Sequence, residues 1–198
     1  MVPNIGKERN MIINHYKGDY QMNSRLNARG RVVDDICYTG DYYILKISES
    51  EKKKTKLWNF AFSIGIFSFL IIAGLLNQDS SRTAWIVFPY LMIYIPSAYL
   101  MRGSIAYVTM PKRMQKIQFD NSIARMKHSG IGILILTLIS MCLDILYMFL
   151  HYKNINWGRE SLYFLAHVLI LALTFLFGKY YDKKYADVTM EPSKVTLE

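Results

Sequence analysis

The sequence predicts an all-α integral membrane protein: four transmembrane helices in two antiparallel hairpins, preceded by a small cytoplasmic β-hairpin. Three observations carry that expectation. The segments 57–76, 83–101, 130–150 and 161–178 contain one formal charge, Asp144, although 20% of the 198 residues are charged. Each segment is close to the roughly 20 helical residues that cross a hydrocarbon core of about 30 Å. Lys and Arg, finally, gather on alternate connections. Soluble enzymes mix charge into every element, so this segregation excludes an ordinary soluble enzyme and a disordered chain. With only Cys37 and Cys142 present, it also excludes a disulfide-stapled domain.

Residues 1–30 are polar and expected to be a mobile cytoplasmic terminus. Residues 1–25 contain no apolar run of signal-peptide type, so the first span is expected to act as the internal insertion signal. A local echo follows, Tyr16-Lys17-Gly18-Asp19-Tyr20 and Tyr38-Thr39-Gly40-Asp41-Tyr42. A two-residue Gly-Asp loop suits a type II′ turn, and the flanking runs 31–38 and 42–47 favour strands by composition. The expectation is a hairpin at about 31–48, then a basic linker to residue 56.

The first transmembrane hairpin covers 57–110. Span one ends at the polar turn Asn77-Gln78-Asp79-Ser80-Ser81, and span two carries Pro89 and Pro96, which free backbone carbonyls for neighbours to satisfy. Residues 111–128 read as a basic interfacial helix opening at Pro111. Met114, Ile117, Phe119, Ile123 and Met126 are its apolar contacts, and Lys112, Arg113, Lys116, Arg125 and Lys127 are expected to meet anionic lipid headgroups. The second hairpin covers 129–181, and 182–198 is a cytoplasmic tail. Thirteen Lys and Arg flank the spans on the side of Lys52, Arg102 and Lys179, against Arg82, Lys153 and Arg159 on the other. By the positive-inside rule both termini are expected to be cytoplasmic, and the Lys-, Ile- and Asn-rich usage points to a bacterial cytoplasmic membrane. Trp58, Trp85, Trp157, Tyr152 and Tyr180 sit near span ends, where amphipathic rings prefer the headgroup level.

The halves echo one another. Ala106-Tyr107-Val108-Thr109-Met110-Pro111 follows span two, and Ala186-Asp187-Val188-Thr189-Met190-Glu191-Pro192 follows span four. This raises a parallel duplication about an axis along the membrane normal. A match of this length also arises by chance, so the echo leaves the question open.

An ionisable group inside a span invites a functional hypothesis with a named partner. Asp144 lies six residues before Leu150 and His167 six residues after Ser161. On antiparallel neighbours both stand about 9 Å below the outer end at about 1.5 Å per residue. A hydrogen bond or ion pair between them is therefore expected, with Tyr147 and Tyr163 one turn outward and Ser140 one turn inward. On span two, Tyr90, Tyr94 and Ser97 share a face that would look toward Asn59, Ser63 or Ser68. Structural glue between helices and a proton- or cation-coupled site within a transport path are both open. A metal or catalytic centre is the weaker reading, because zinc needs three or four ligands and no His, Asp, Glu or Cys cluster completes one.

No HExxH, GxSxG, P-loop or CxxC motif occurs, and neither a cofactor nor a metal is expected. The net charge of +9 is explained by membrane topology, without nucleic acid. The sequence thus points to a non-enzymatic accessory or scaffold subunit whose cytoplasmic face engages lipid and a protein partner or a second copy. The alternative is a small-solute or ion transporter or channel, dimeric, with its polar site at Asp144 and His167.

Overall fold

The computed structural model describes residues 14–26 and 32–192. Expectations for residues 1–13, 27–31 and 193–198, which include much of the expected mobile terminus and the hairpin's first residue, lie outside the described residues. In chain order the elements are β1 (Tyr20–Leu26), β2 (Val32–Tyr38), β3 (Tyr42–Leu45), α1 (Glu49–Leu75), α2 (Ala84–Thr109), β4 (Arg113–Gln115), α3 (Lys116–Leu150), α4 (Trp157–Tyr185) and β5 (Val188–Glu191). Short 3-10 turns occupy Asn14–Asp19 and Asp79–Arg82. Two compact units result, one of strands with the first turn of α3, the other of helices.

The helices start where the sequence supplies caps. The Ser48 hydroxyl accepts the Glu51 N–H at 3.1 Å, and the Ser48 N–H donates to the Glu51 carboxylate at 3.4 Å, a capping box that opens α1. The Asn156 side chain accepts the Arg159 N–H at 3.3 Å and opens α4. The four helices have 27, 26, 35 and 29 residues and are long and apolar enough to cross a membrane. α2 continues through both of its prolines, and α3 through a π stretch at Asp120–Ala124.

Buried positions recur at alternating steps of three and four. On α2 they are Ile86, Tyr90, Ile93, Ser97, Leu100, Ser104 and Tyr107. On α3 they are Met126, Gly130, Ile133, Thr137, Ser140, Asp144 and Tyr147. α4 repeats the pattern from Glu160 to Tyr181, and α1 approximates it from Thr55 to Ala73. A 3.5-residue repeat keeps one seam toward the neighbours, as in left-handed coiled-coil packing. α1 packs on α2 and α4, and α3 packs on the same two. Ser63 meets Ser104 while Leu70 meets Tyr90, and Ser140 meets His167 while Gly130 meets Phe177, so these neighbours run antiparallel.

The seam mixes polar residues with Ile66, Leu70, Ile93, Leu100, Ile133 and Ile170, and the outside is apolar. Asn59, Ser63, Ser97, Ser104, Thr137, Ser140, Asp144 and His167 are buried, whereas Phe88, Leu91, Ile95, Ile135, Ile145, Phe149, Leu165 and Leu176 are exposed. Trp85, Trp157 and Tyr152 are also exposed, near helix ends, and Trp58 is exposed nine residues into α1.

In the strand unit, β1 pairs antiparallel with β2, from Tyr20 opposite Tyr38 to Leu26 opposite Val32. β3 is the centre of a second sheet, ordered β4-β3-β5, with Tyr43 opposite both Met114 and Met190. The predicted hairpin is therefore corrected: β2 and β3 do not pair with each other across Gly40-Asp41. The two halves of the Tyr-x-Gly-Asp-Tyr echo instead pack together. The Thr39 and Gly40 N–H groups donate to the Asp19 carbonyl at 2.8 and 3.2 Å. A Cβ at Gly40 would stand 2.9 Å from the Asp19 Cβ, so close approach rather than turn geometry requires glycine there. Tyr20, Tyr38 and Tyr42 form an edge-to-face chain, with both centroid separations 5.1 Å.

Two further expectations are revised. Residues 111–128 do not form a separate helix, because Arg113–Gln115 is strand and the rest opens α3. The terminal echo does not repeat residue on residue either. Ala106–Thr109 is helical and Val188–Met190 is strand, although a strand of the β3 sheet follows both α2 and α4.

Candidate functional site

The seam contains two polar stretches separated by an apolar layer. Toward the Asp79–Arg82 end lie Asp144, Ser140 and Thr137 of α3, Tyr163, His167 and Glu160 of α4, and Tyr90 of α2, all buried. His167 Nδ1 stands 3.0 Å from the Tyr163 carbonyl, which can only accept, so Nδ1 carries the proton. Nε2 then accepts the Ser140 hydroxyl at 3.1 Å. Tyr163 and Tyr90 stand against the imidazole, with centroids 4.5 and 5.9 Å away.

Asp144 is placed differently from the expectation. It is 1% exposed, and neither carboxyl oxygen has a hydrogen-bond partner. The helices bring Asp144 and His167 into one stretch of the seam, but Ser140 and the Tyr163 backbone take the ring nitrogens. The Thr137 hydroxyl, on the same face of α3, is likewise buried and unpartnered. Tyr147 turns outward along its helix to stack on His151, with centroids 4.4 Å apart. Tyr90 and Tyr94 do share a face. Their hydroxyls are 2.8 Å apart and reach the Leu70 carbonyl at 2.6 and 3.0 Å, rather than Asn59, Ser63 or Ser68.

The second polar stretch was missed as a set. Asn59 of α1 donates to the Tyr185 hydroxyl, and Ser63 and Ser104 hydroxyls lie 2.7 Å apart. The usable signal was the step of three and four that puts small polar residues on the seam. Between the stretches each helix contributes one isoleucine, Ile66, Ile93, Ile133 and Ile170, with no exposed surface.

Glu160 was also missed, because it falls one residue before the fourth apolar segment. Its carboxylate accepts both the N–H and the hydroxyl of Ser80, at 2.8 and 2.9 Å. Asp79 accepts the Asn156 N–H at 2.8 Å, and Arg159 donates to the Asn77 carbonyl at 3.0 Å. The connections 77–82 and 151–160 are thus tied together.

The five residues expected at lipid headgroups divide between the units. In the sheet, the Arg113 guanidinium lies 3.9 Å from the Tyr42 ring centre and 3.4 Å from the Glu191 carboxylate. Lys112 lends its carbonyl to the Leu45 N–H, and the Lys116 N–H donates to the Tyr38 hydroxyl at 3.0 Å. In the bundle, Arg125 bonds Asn121 and lies over the Tyr99 ring, and Lys127 is exposed.

Among the described residues no three His, Cys, Asp or Glu side chains converge as a metal site would require. The outer stretch offers one carboxyl, one imidazole, hydroxyls and aromatic faces, a set suited to holding a proton or to fastening helices. No family model, curated protein or solved structure matches the chain.

Proposed function

We propose that the protein is a non-enzymatic multi-pass membrane protein of the bacterial cytoplasmic membrane. In this reading it is an accessory or scaffold subunit, arranged as two transmembrane hairpins with both termini inside. Its inner face engages anionic lipid and a protein partner. The apolar exterior supports the membrane part: Ile, Leu and Phe exposed to this extent suit hydrocarbon, whereas soluble monomers rarely expose large contiguous apolar patches.

The contrast between the two ends of the chain's topology carries the accessory role. On the Arg82, Lys153 and Arg159 side the connections are short and occupied with each other through Glu160, Asp79 and Arg159. On the basic side the segments are long, and three of them order into one sheet around β3. Recognition therefore falls to the inner segments 31–56, 102–128 and 179–194. Crosslinking in native membranes followed by purification tests this. A stoichiometric partner joined through the inner segments is the expected result. A particle that stays strictly monomeric and uncrosslinked sinks it.

The unpartnered Asp144 carboxyl favours one second reading, a proton- or cation-coupled solute site. In this reading the path would run between two copies of the chain. Flux in proteoliposomes that depends on pH and disappears in Asp144→Asn would support it. Identical flux in wild type and variant would remove it.

A further inference from the structure

Two carboxyl groups lie on the seam faces of α3 and α4, toward the Asp79–Arg82 end of the bundle. Ser140 and His167 touch at 3.1 Å, which sets the level of these antiparallel helices against each other. One turn further out stand Asp144 on α3 and Tyr163 on α4. Glu160 lies three residues beyond Tyr163, a rise of about 4.5 Å, and its charge acts on Asp144. Asp144 is 1% exposed and Glu160 not at all.

The fold treats the two carboxyls differently. Glu160 is built as an anion, since the N–H and the hydroxyl of Ser80 both donate to it. Asp144 receives no donor at either oxygen. The polar groups that face this level are committed elsewhere. On α4, His167 has both ring nitrogens engaged, and Tyr163 packs edge-on against the imidazole. On α2 the Tyr90 hydroxyl donates to the Leu70 carbonyl, and on α3 Tyr147 stacks on His151. In the outer connection Asp79 accepts the Asn156 N–H, and Arg82 is exposed. Among the described residues the only buried Lys or Arg is Lys52, at the opposite end of the bundle. A bare carboxylate in such a place, beside a second one, is costly unless a cation neutralises it. A hard metal ion stripped of its water takes about six oxygen ligands, and no such set converges here. A proton needs one oxygen.

We propose that Asp144 is a reversible proton-binding site, served from the Asp79–Arg82 side of the membrane through Glu160. Uptake makes Asp144 a neutral carboxylic acid, and release returns the carboxylate. Glu160 passes its proton to Asp144 through water and regains one from outside, so no other group is consumed. Glu160 is the relay, and Ser80 positions it. The proposal rests on the second reading above, whose coupled ion it names, and the site exists whether or not a solute moves.

The test uses the full chain in nanodiscs, with the aspartate carboxyl carbons isotopically labelled, and infrared difference spectra from acid to alkaline pH. A protonated aspartate carbonyl band is expected that falls as pH rises and is missing in Asp144→Asn. Replacing sodium and potassium by N-methylglucamine at fixed pH should leave the band unchanged. In heavy water, Glu160→Gln should keep the band but slow its deuterium shift at least fivefold. Asp79→Asn, which removes a carboxylate tying the same connections, should not slow it. Melting temperature in detergent, followed for each variant, separates a lost site from a lost fold. A band that is never present, that persists at every pH, or that metal ions displace overturns the proposal. Exchange as fast in Glu160→Gln as in wild type overturns the route. Titration of Asp144 without flux in proteoliposomes keeps the site and removes the transport reading. Flux lost in Asp144→Asn without such a band does the reverse.

Discussion

At Gly74 a Cβ would stand 2.5 Å from the Tyr90 hydroxyl, which itself reaches past this position to the Leu70 carbonyl at 2.6 Å. The missing side chain on α1 is thus the space that an α2 tyrosine uses. Gly74→Ala should cost about 1–3 kcal/mol, the usual range for overpacking. Tyr90→Phe should recover part of that loss, because the clash is with the hydroxyl. Thermal unfolding of both single variants and the double variant in detergent gives the coupling; strictly additive effects would break the argument. A second residue-scale expectation concerns His167. Ser140→Ala leaves the buried Nε2 without its donor, and an unsatisfied buried group costs about 1–3 kcal/mol. Asp144→Leu is the contrasting case. Its carboxyl oxygens have no partner to lose, so the variant should melt within experimental error of wild type or above it. A large destabilisation would show that Asp144 has a structural partner after all. The sequence located Asp144 and His167 at one depth from their distances to the helix ends. It could not assign the hydrogen bonds, because Ser140 and the Tyr163 carbonyl compete for the same ring and only side-chain geometry decides between them.

The capping box at the start of α1 is the element-scale counterpart. Ser48→Ala should destabilise the helix by about 1 kcal/mol. Glu51 lies ahead of the apolar segment, and there the Ser48 N–H, followed by Lys184 at 3.3 Å, holds its carboxyl below the usual range. A depressed carboxyl contributes stability above its unfolded value near 4.5, and that contribution fades as pH falls through the folded value. The melting difference between wild type and Glu51→Gln should therefore be present at neutral pH and shrink on acidification. A difference independent of pH would rule out the carboxylate as its source. The four long helices were legible because twenty apolar residues in a row have few other fates. The strands were less so. β1 reads Tyr-Gln-Met-Asn-Ser-Arg-Leu, a short alternation of Tyr20, Met22 and Leu26 with Gln21, Asn23 and Arg25 inside a polar terminus, and nothing local marks it as the partner of β2. β4 and β5 have three and four residues and owe their existence to β3, which lies far from both in sequence. The Gly-Asp signal was real as a bend, but its partner was the earlier copy of the same motif.

At the scale of the molecule the informative feature is which surface is apolar. A soluble four-helix bundle puts leucine on its seam and charge outside; here the seam mixes Ile and Leu with Ser, Thr, Asn, Asp and His, and the outside carries Ile, Leu and Phe. Helices in lipid gain little from burying apolar surface against one another, so close packing and interhelical hydrogen bonds do that work, typically about 0.6 kcal/mol for each bond. The heptad spacing then fixes the seam while leaving its polarity free. Topology is the remaining expectation, and single cysteines on a background of Cys37→Ser and Cys142→Ser test it. Lys153→Cys, in the connection between α3 and α4, should react with a membrane-impermeant maleimide in intact cells. Lys127→Cys and Lys183→Cys should react only after the membrane is opened, because positive-inside placement puts both on the cytoplasmic side. Cys142, restored alone, is exposed on the protein surface yet should stay unlabelled in both conditions, since hydrocarbon excludes the thiolate that reacts. Labelling of Cys142 in intact membranes, or labelling of positions 127 and 153 from the same side, would be incompatible with four spans.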